Sequence, residues 1–390
     1  MNLQRHASDS ALQGFMLAGD TRAETWVAPL LQDQSRDRTH QARSDAQLRR
    51  ATLSLVHRMG AEIATPLAQR QPSMSIASFI REIGRGREGA RSLTQPQAHE
   101  LFCQVLDGQV TDLEIGAFAL AMRIKGESVA ELAGFCQSTQ ERCLALTLNK
   151  PCIVLPSYNG ARRLPNLTAL LALLLAQEGF NVLVHGSAPD GARISTVEIF
   201  HDLGLPIARN GSEIHAAWSR QSPVFMSIDV LCPPLARLLA VRQVVGLRNS
   251  GHTVAKLLAP GSGAAALRVV NYTHPETAAL LDAFLPQIRA NAMLLRGTEG
   301  EPVADPRRAP KLDVYIDGAL RADLSVPARD GVLTELPLLP RADDAAATAV
   351  YIQAVASGGR PAPGALLRQV ECAARALAQL SLLNTQGRIA

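Results

Sequence analysis

The period of the apolar pattern changes at Lys150-Pro151, and no other feature of this 390-residue chain constrains its fold as much. Downstream, Ile153-Val154-Leu155 and Val182-Leu183-Val184 are short β-branched runs flanking a helical pattern over Leu167–Glu178, and Val224-Phe225-Met226 reads as a third strand. Strands joined by a crossover helix pair in parallel, so a parallel sheet covered by helices is expected. Further strands are predicted at Leu267–Val270, Ala292–Leu295 and Leu312–Ile316. Residues 317–341, rich in Pro, Gly and charge, read as loops and an edge strand, and two helices, Asp343–Ser357 and Gly364–Leu383, close the chain.

Upstream of the change the pattern from Ser75 to Leu148 is helical. Thr94 caps a helix with Pro96 in its first turn, Asp112 opens a second that Gly126 ends, and Ser128 opens a third. Residues 1–73 mix opposite charges with little periodicity and read as a disordered extension, apart from a short helical pattern over Ser44–Arg58. Ordered patterning starts at Met74, which reads as a second beginning of the chain. The expected organisation is therefore an extension over 1–73, a helical domain over 74–148 and an α/β domain over 149–390.

Composition excludes several classes. Six cysteines without a Cys-x-x-Cys pair, and histidines without ligand spacing, argue against zinc and against a disulfide framework. The N-terminus lacks the pattern of a secretory signal, and the longest apolar run, Leu167–Ala176, is about half the ~20 residues a membrane span requires. A cytoplasmic protein is expected, with no membrane partner. The net charge of +4 is modest, so charge placement must carry any nucleic-acid reading. All basic residues except Lys125, Lys150, Lys256 and Lys311 are arginines, whose guanidinium groups suit bidentate phosphate contacts.

The loop after the first strand, Pro156-Ser157-Tyr158-Asn159-Gly160, stands where a glycine-rich phosphate loop would be expected. Such loops need glycine to turn successive N–H groups inward with φ > 0, whereas Pro156 has no N–H and Ser157 and Tyr158 resist that conformation. What remains is a helix start with Arg162 and Arg163, which favours an anion by charge and by dipole.

The stretches Leu93-Thr94, Ile115-Gly116 and Arg123-Ile124-Lys125-Gly126-Glu127 resemble the N-terminal domain of anthranilate phosphoribosyltransferase and class II nucleoside phosphorylases, the glycosyltransferase family 3 fold. Residues 74–390 as a whole resemble the YbiB-type DNA-binding proteins on that fold. The stretches that carry this are Glu82-Ile83-Gly84-Arg85-Gly86, Pro156–Arg162, Cys232-Pro233-Pro234-Leu235, Arg248-Asn249-Ser250 and Gly297-Thr298-Glu299-Gly300-Glu301. The resemblance implies a small N-terminal helical domain plus a larger mostly parallel-sheet α/β domain. It also implies a homodimer joined through the helical domains, and DNA or RNA binding without sequence preference. Against the enzymes' Gly-Thr-Gly-Gly-Asp-Gly loop, Leu155–Gly160 keeps only the last glycine, and their metal-binding Asp-Glu pair falls on Pro302-Val303. No cofactor and no metal site are expected, with Glu299 and Glu301 the alternative carboxylates if a magnesium-dependent transferase persists.

Three cationic groups are candidate nucleic-acid contacts. Arg85, Arg87 and Arg91 lie on a glycine-hinged segment. Arg162, Arg163 and Arg193 surround the degenerate loop. Arg242, Arg248, His252 and Lys256 follow, the last two at i, i+4 on one face. Each group reads also as solvated or internally bridged charge. His185 reads as a core histidine, and Tyr158, the aromatic residue beside these cations in sequence, gives little scope for base stacking. The expected function is sequence-nonspecific nucleic-acid binding without transferase catalysis, the alternative a transferase with an unusual acceptor.

Overall fold

The computed structural model describes residues 75–385 apart from 87, 188–190, 192 and 264. The extension over 1–73, the Ser44–Arg58 pattern, Met74 and Arg87 lie outside the described residues. Four helices come first: α1 (Ile76–Ile83), α2 (Gln95–Leu106), α3 (Asp112–Lys125) and α4 (Val129–Gln140). Three of them start in capping boxes, on Thr94 with Gln97, Thr111 with Glu114, and Ser128 with Glu131, each pairing a hydroxyl and a side-chain acceptor with otherwise orphaned N–H groups. The cap of α3 is Thr111, one residue before the predicted start. Phe102, Phe118 and Phe135 meet at the centre of these helices, with Phe102 and Phe135 stacked at 4.5 Å between ring centroids.

Glu131 ties the helices together from inside. Fully buried, its carboxylate accepts from Leu93 N at 3.0 Å, Ser128 N at 2.8 Å and Lys125 Nζ at 2.7 Å. One anion thus joins the approach to α2, the end of α3 and the start of α4.

The α/β part is a nine-stranded sheet among the described residues. Its strands are β1 (Cys152–Ser157), β2 (Asn181–Gly186), β3 (Ile207–Ala208), β4 (Val224–Ser227), β5 (Ala266–Tyr272), β6 (Ala292–Thr298), β7 (Glu301–Ala304), β8 (Leu312–Ile316) and β9 (Ala319–Leu320). The order is β9-β8-β6-β5-β1-β2-β4-β3; the run from β6 to β3 is parallel, β8 and β9 are antiparallel, and β7 returns as a hairpin on β6. The predicted strands are present, and β9 is the edge strand expected within 317–341. Both faces are buried, so strand residues alternate between two cores. Ile153, Leu155, Val182 and Val184 face α5 (Thr168–Gln177), α6 (Thr196–Asp202), α11 (Ala345–Ala356) and α12 (Gly364–Thr385). Val154 and Leu183 face the other way, into one cluster with Phe79, Phe102 and Phe118 of the helical part. The helical and α/β parts therefore share a continuous core. Helices α7 (Gly211–Ser219), α8 (Pro233–Val245), α9 (Ser250–Ala255) and α10 (Pro275–Gln287), a single helical turn at Ile228–Leu231 and a two-stranded parallel sheet of Thr147–Leu148 with Ser262–Gly263 complete the described fold.

The connections from β1 run to β2 on one side while β5 runs to β6 on the other, so the strand order reverses between β1 and β5. Ligands of open parallel sheets sit outside the carboxyl ends of the strands at such a reversal. Here the loops converging on it follow Ser157, Tyr272 and Thr298.

Replacing Glu131 with alanine would leave Lys125, itself 9% exposed, without its counter-charge. Loss of one partner of a buried pair costs roughly 3–5 kcal/mol. Urea denaturation of Glu131→Ala is expected to show a loss of that order, with Glu131→Gln losing less.

Candidate functional site

The hairpin at the reversal point is built from one tight turn. Thr298 pairs with Glu301, leaving Glu299 and Gly300 as a two-residue connection with φ of 53° and 87°. Both are left-handed, as a type I′ hairpin requires, and Glu299 is a residue type that rarely adopts this conformation. Its neighbours hold it there. The Glu299 carboxylate accepts from the backbone N–H of Arg163 at 2.7 Å, Leu164 at 2.8 Å and Arg162 at 3.3 Å. The carbonyls of Glu299 and Gly300 accept from Asn159 Nδ2 and Lys256 Nζ, each at 2.9 Å.

Glu301 then points from the first position of β7 into the loop after β1. It is fully buried, and its carboxylate accepts from Asn159 N and Gly160 N, both at 2.8 Å, from Thr168 Oγ1 at 3.3 Å and from the hydroxyl of Ser157 through a short hydrogen bond. Gly160, the glycine the loop keeps, has φ of 62°, whereas Ser157, Tyr158 and Asn159 keep negative φ. The loop thus still turns N–H groups inward, and the chain's own carboxylate receives them. Next to it, Asn166 Oδ1 accepts from Thr168 N at 3.2 Å, just ahead of α5, whose N-cap residue is Leu167.

This geometry corrects the expectation for the helix start. The backbone donors at Arg162, Arg163 and Leu164 are taken by Glu299 and those of the loop by Glu301, so an incoming anion meets guanidinium groups rather than main-chain N–H groups. The same contacts test the two glutamates as magnesium ligands. A hard cation needs carboxylate oxygens with free lone pairs. Here those oxygens face N–H and O–H donors, with Arg193 Nη1 3.5 Å from Glu299. The residues do not fit a magnesium ion.

The predicted cations divide into inward and outward groups. Lys256 turns in to the Gly300 carbonyl, and burial lowers its ammonium to about 8 against the opposing pull of Glu301. His252 accepts from Asn249 N at 3.3 Å, and burial together with Arg248 and Arg242 holds it near 4, so at neutral pH it carries no charge. Neither presents an exposed cation: His252 is uncharged, and the half-buried Lys256 keeps its charge but turns it inward. Arg193 donates to Gly160 O at 2.9 Å and Arg248 to Tyr158 O at 3.3 Å, so both brace the loop. Tyr158 is itself buried, its hydroxyl 2.7 Å from His185 Nδ1, and burial pushes His185 down to about 4. Arg162, Arg163 and Arg242 are exposed. Arg85 and Arg91 are also exposed, Arg85 pairing with Glu82 at 2.7 Å, on the helical part outside the cavities at the reversal point.

An open groove of about 760 Å³ lies over the loop, floored by Ser157–Gly160 and walled by Arg193, Asp229, Arg242 and Arg248. It passes into a depression of about 410 Å³ at Arg162 and Arg163. Sequence reasoning assigned Glu301 no structural role, although Glu299-Gly300-Glu301 after a strand run is a legible hairpin turn.

A family model described as "Glycosyl transferase family, helical bundle domain" matches residues 77–143. The YbiB protein of Escherichia coli (strain K12) is 40% identical over 302 residues, spanning 77% of this chain and 93% of its own. The chain belongs to the YbiB family. Anthranilate phosphoribosyltransferase of Moorella thermoacetica is 25% identical over 267 residues, 68% of this chain and 77% of that protein. Among solved structures, anthranilate phosphoribosyltransferase from Thermus thermophilus superposes with a TM-score of 0.52 at 20% identity, over 80% of this chain and 99% of that one. The Saccharomyces cerevisiae enzyme in complex with PRPP and Mg gives 0.51 at 12%, over 80% and 98%. These structures fix the fold as anthranilate phosphoribosyltransferase-like, with the N-terminal helical and larger α/β parts described above. No helix among the described residues is long and apolar enough to cross a membrane.

In this YbiB-family chain the loop and its anion form a testable unit. Glu301→Ala would strip the partner from buried donors, at a cost of about 3 kcal/mol or more. Inorganic phosphate is expected to restore part of the lost melting temperature in the variant and to leave the parent protein unmoved. Equal responses of the two in a thermal-shift titration would show that the cradle is not an anion site.

Proposed function

We propose that this chain is a nucleic-acid-binding protein without transferase activity, holding DNA or RNA by its phosphates along the arginine-lined groove. The observation that carries this reading is the filled cradle. Glu299 and Glu301 accept the main-chain donors around the degenerate phosphate loop, while Arg242 on the open groove and Arg162 and Arg163 on the depression beside it stay exposed. A small phosphorylated ligand needs converging buried donors. A polymer needs only a surface of spaced cations.

If about five phosphates are neutralised, log K for duplex DNA falls with log salt at a slope of roughly −4 to −5. Removing two phosphate contacts makes the slope shallower by about 2. Fluorescence anisotropy over a salt series is therefore expected to show Arg162→Ala/Arg242→Ala binding more weakly with that shallower slope, across unrelated sequences. His252→Ala, which removes no charge at neutral pH, should leave the slope unchanged. Magnesium-dependent release of pyrophosphate from phosphoribosyl pyrophosphate would instead favour the transferase reading.

The proposed working form is a homodimer. On α3, Leu113, Ala117, Leu120 and Ile124 recur at i, i+4, i+7 and i+11 and are exposed, Leu113 at 84% and Ile124 at 62%. This is a seam that a second copy would cover. Light scattering of Leu120→Asp/Ile124→Asp is expected to report monomers of native secondary structure, and a dimer of unchanged mass would show that the seam lies elsewhere.

A further inference from the structure

A second cationic basin adjoins the groove across the Glu299 turn. It has a volume of about 640 Å³, and its lining carries Arg163, Arg296, Arg307, Arg308, Lys311 and Arg329 against three carboxylates, Glu299, Asp305 and Asp330. Its walls are fixed by main-chain contacts: Arg329 N donates to Ala309 O and Leu333 N to Arg307 O, both at 2.9 Å. The loops that carry the cations are thereby pinned to each other.

Internal pairing leaves the basin electropositive. Asp305 is shared by Arg307 at 2.9 Å and Arg308 at 3.8 Å, and Lys311 meets Asp313 at 2.9 Å. Glu299 is already engaged by three N–H groups. Among the described residues, Arg163, Arg296 and Arg329 have no carboxylate within salt-bridge distance, and all three are exposed. The Asp305–Arg307 pair is half-buried and bidentate and stays closed, so the surplus charge of the basin comes from Arg163, Arg296 and Arg329.

The basin and the groove are connected. The depression between them is lined by Asn159 and Arg193, which also line the groove, and by Arg163, Thr273 and Glu299, which also line the basin. Cations therefore continue from Arg242 through Arg162 and Arg163 to Arg296 and Arg329. They stand on separate elements along an open path, so they cannot converge on one small anion. Tyr272 at the end of β5 lines the basin and puts one half-buried aromatic ring beside these arginines.

We infer that this basin is a second segment of the nucleic-acid track, receiving the backbone phosphates of a strand that has crossed the Glu299 turn from the groove. The inference rests on the proposed function and adds a length requirement to it: a short duplex fills the groove alone, and a longer one engages both segments.

The test uses fluorescein-labelled mixed-sequence duplexes of increasing length, titrated by anisotropy into the full chain and into Arg296→Ala/Arg329→Ala. Both side chains are exposed, and the Arg329 main-chain bridge survives the substitution; circular dichroism checks that the fold is retained. For the parent, affinity is expected to rise with length past the shortest duplex bound. For the variant, that rise should flatten, and the salt slope for the longest duplex should become shallower by about 2, while the shortest duplex binds as before. Arg162→Ala/Arg242→Ala should weaken short and long duplexes alike. A basin variant that matches the parent at every length would overturn the second segment and leave the groove standing. A parent that binds no duplex at low salt would overturn both.

Discussion

Glu301 is the contact on which the arrangement at the reversal point depends. A carboxylate withdrawn from water pays a desolvation cost of several kcal/mol. Hydrogen bonds to a charged group contribute roughly 1.5–3 kcal/mol each, and Glu301 has four such donors on β1, the loop that follows it and the start of α5. Together these donors offset the desolvation, and removing any one of them leaves part of it uncompensated. That is why the loop keeps Gly160 at positive φ, and why Ser157 and Thr168 present hydroxyls where apolar residues would pack as well.

From that carboxylate outward the charges form two layers. The inner layer is balanced: Glu299 and Glu301 face Arg193, the half-buried ammonium of Lys256 and main-chain donors. The outer layer carries the positive surplus, because the loop's negative partners have been drawn inside. A phosphate approaching the groove would therefore meet the outer guanidinium groups before any main-chain donor. In the proposed function, the same internal anions would take the place of a tightly held diphosphate and leave the rim to a polymer.

The fold was legible because its signals are local. The switch from helical period to β-branched runs at Lys150-Pro151 located the sheet, and the Thr and Ser caps located the helical part. The loss of loop glycines was equally legible, but what replaced the ligand was not. Glu299 and Glu301 read as possible metal ligands because a sequence shows acceptors without showing which donors face them. His252 and Lys256 read as a cationic pair because i, i+4 spacing fixes a face and says nothing of its burial. The basin was missed for another reason. Arg163, Arg296, Arg307, Arg308, Lys311 and Arg329 come from four stretches separated by strands and turns, each ordinary in composition, and only the sheet order brings β6, the hairpin and the loop beside Ala309 together.

In the proposed track, specificity would follow from which aromatic rings are withheld. Tyr158 adjoins the arginines in sequence, yet its hydroxyl is bound to His185 and its ring is buried, so it offers no face to a base. Tyr272 stands beside the basin arginines, but a single half-buried ring cannot hold a succession of unstacked bases in register. The remaining groups are guanidiniums along an open path, which would read charge and spacing rather than base edges. Discrimination among sequences by the proposed track would then depend on how readily each duplex conforms to the path from groove to basin, a property of DNA stiffness and not of hydrogen-bond pattern.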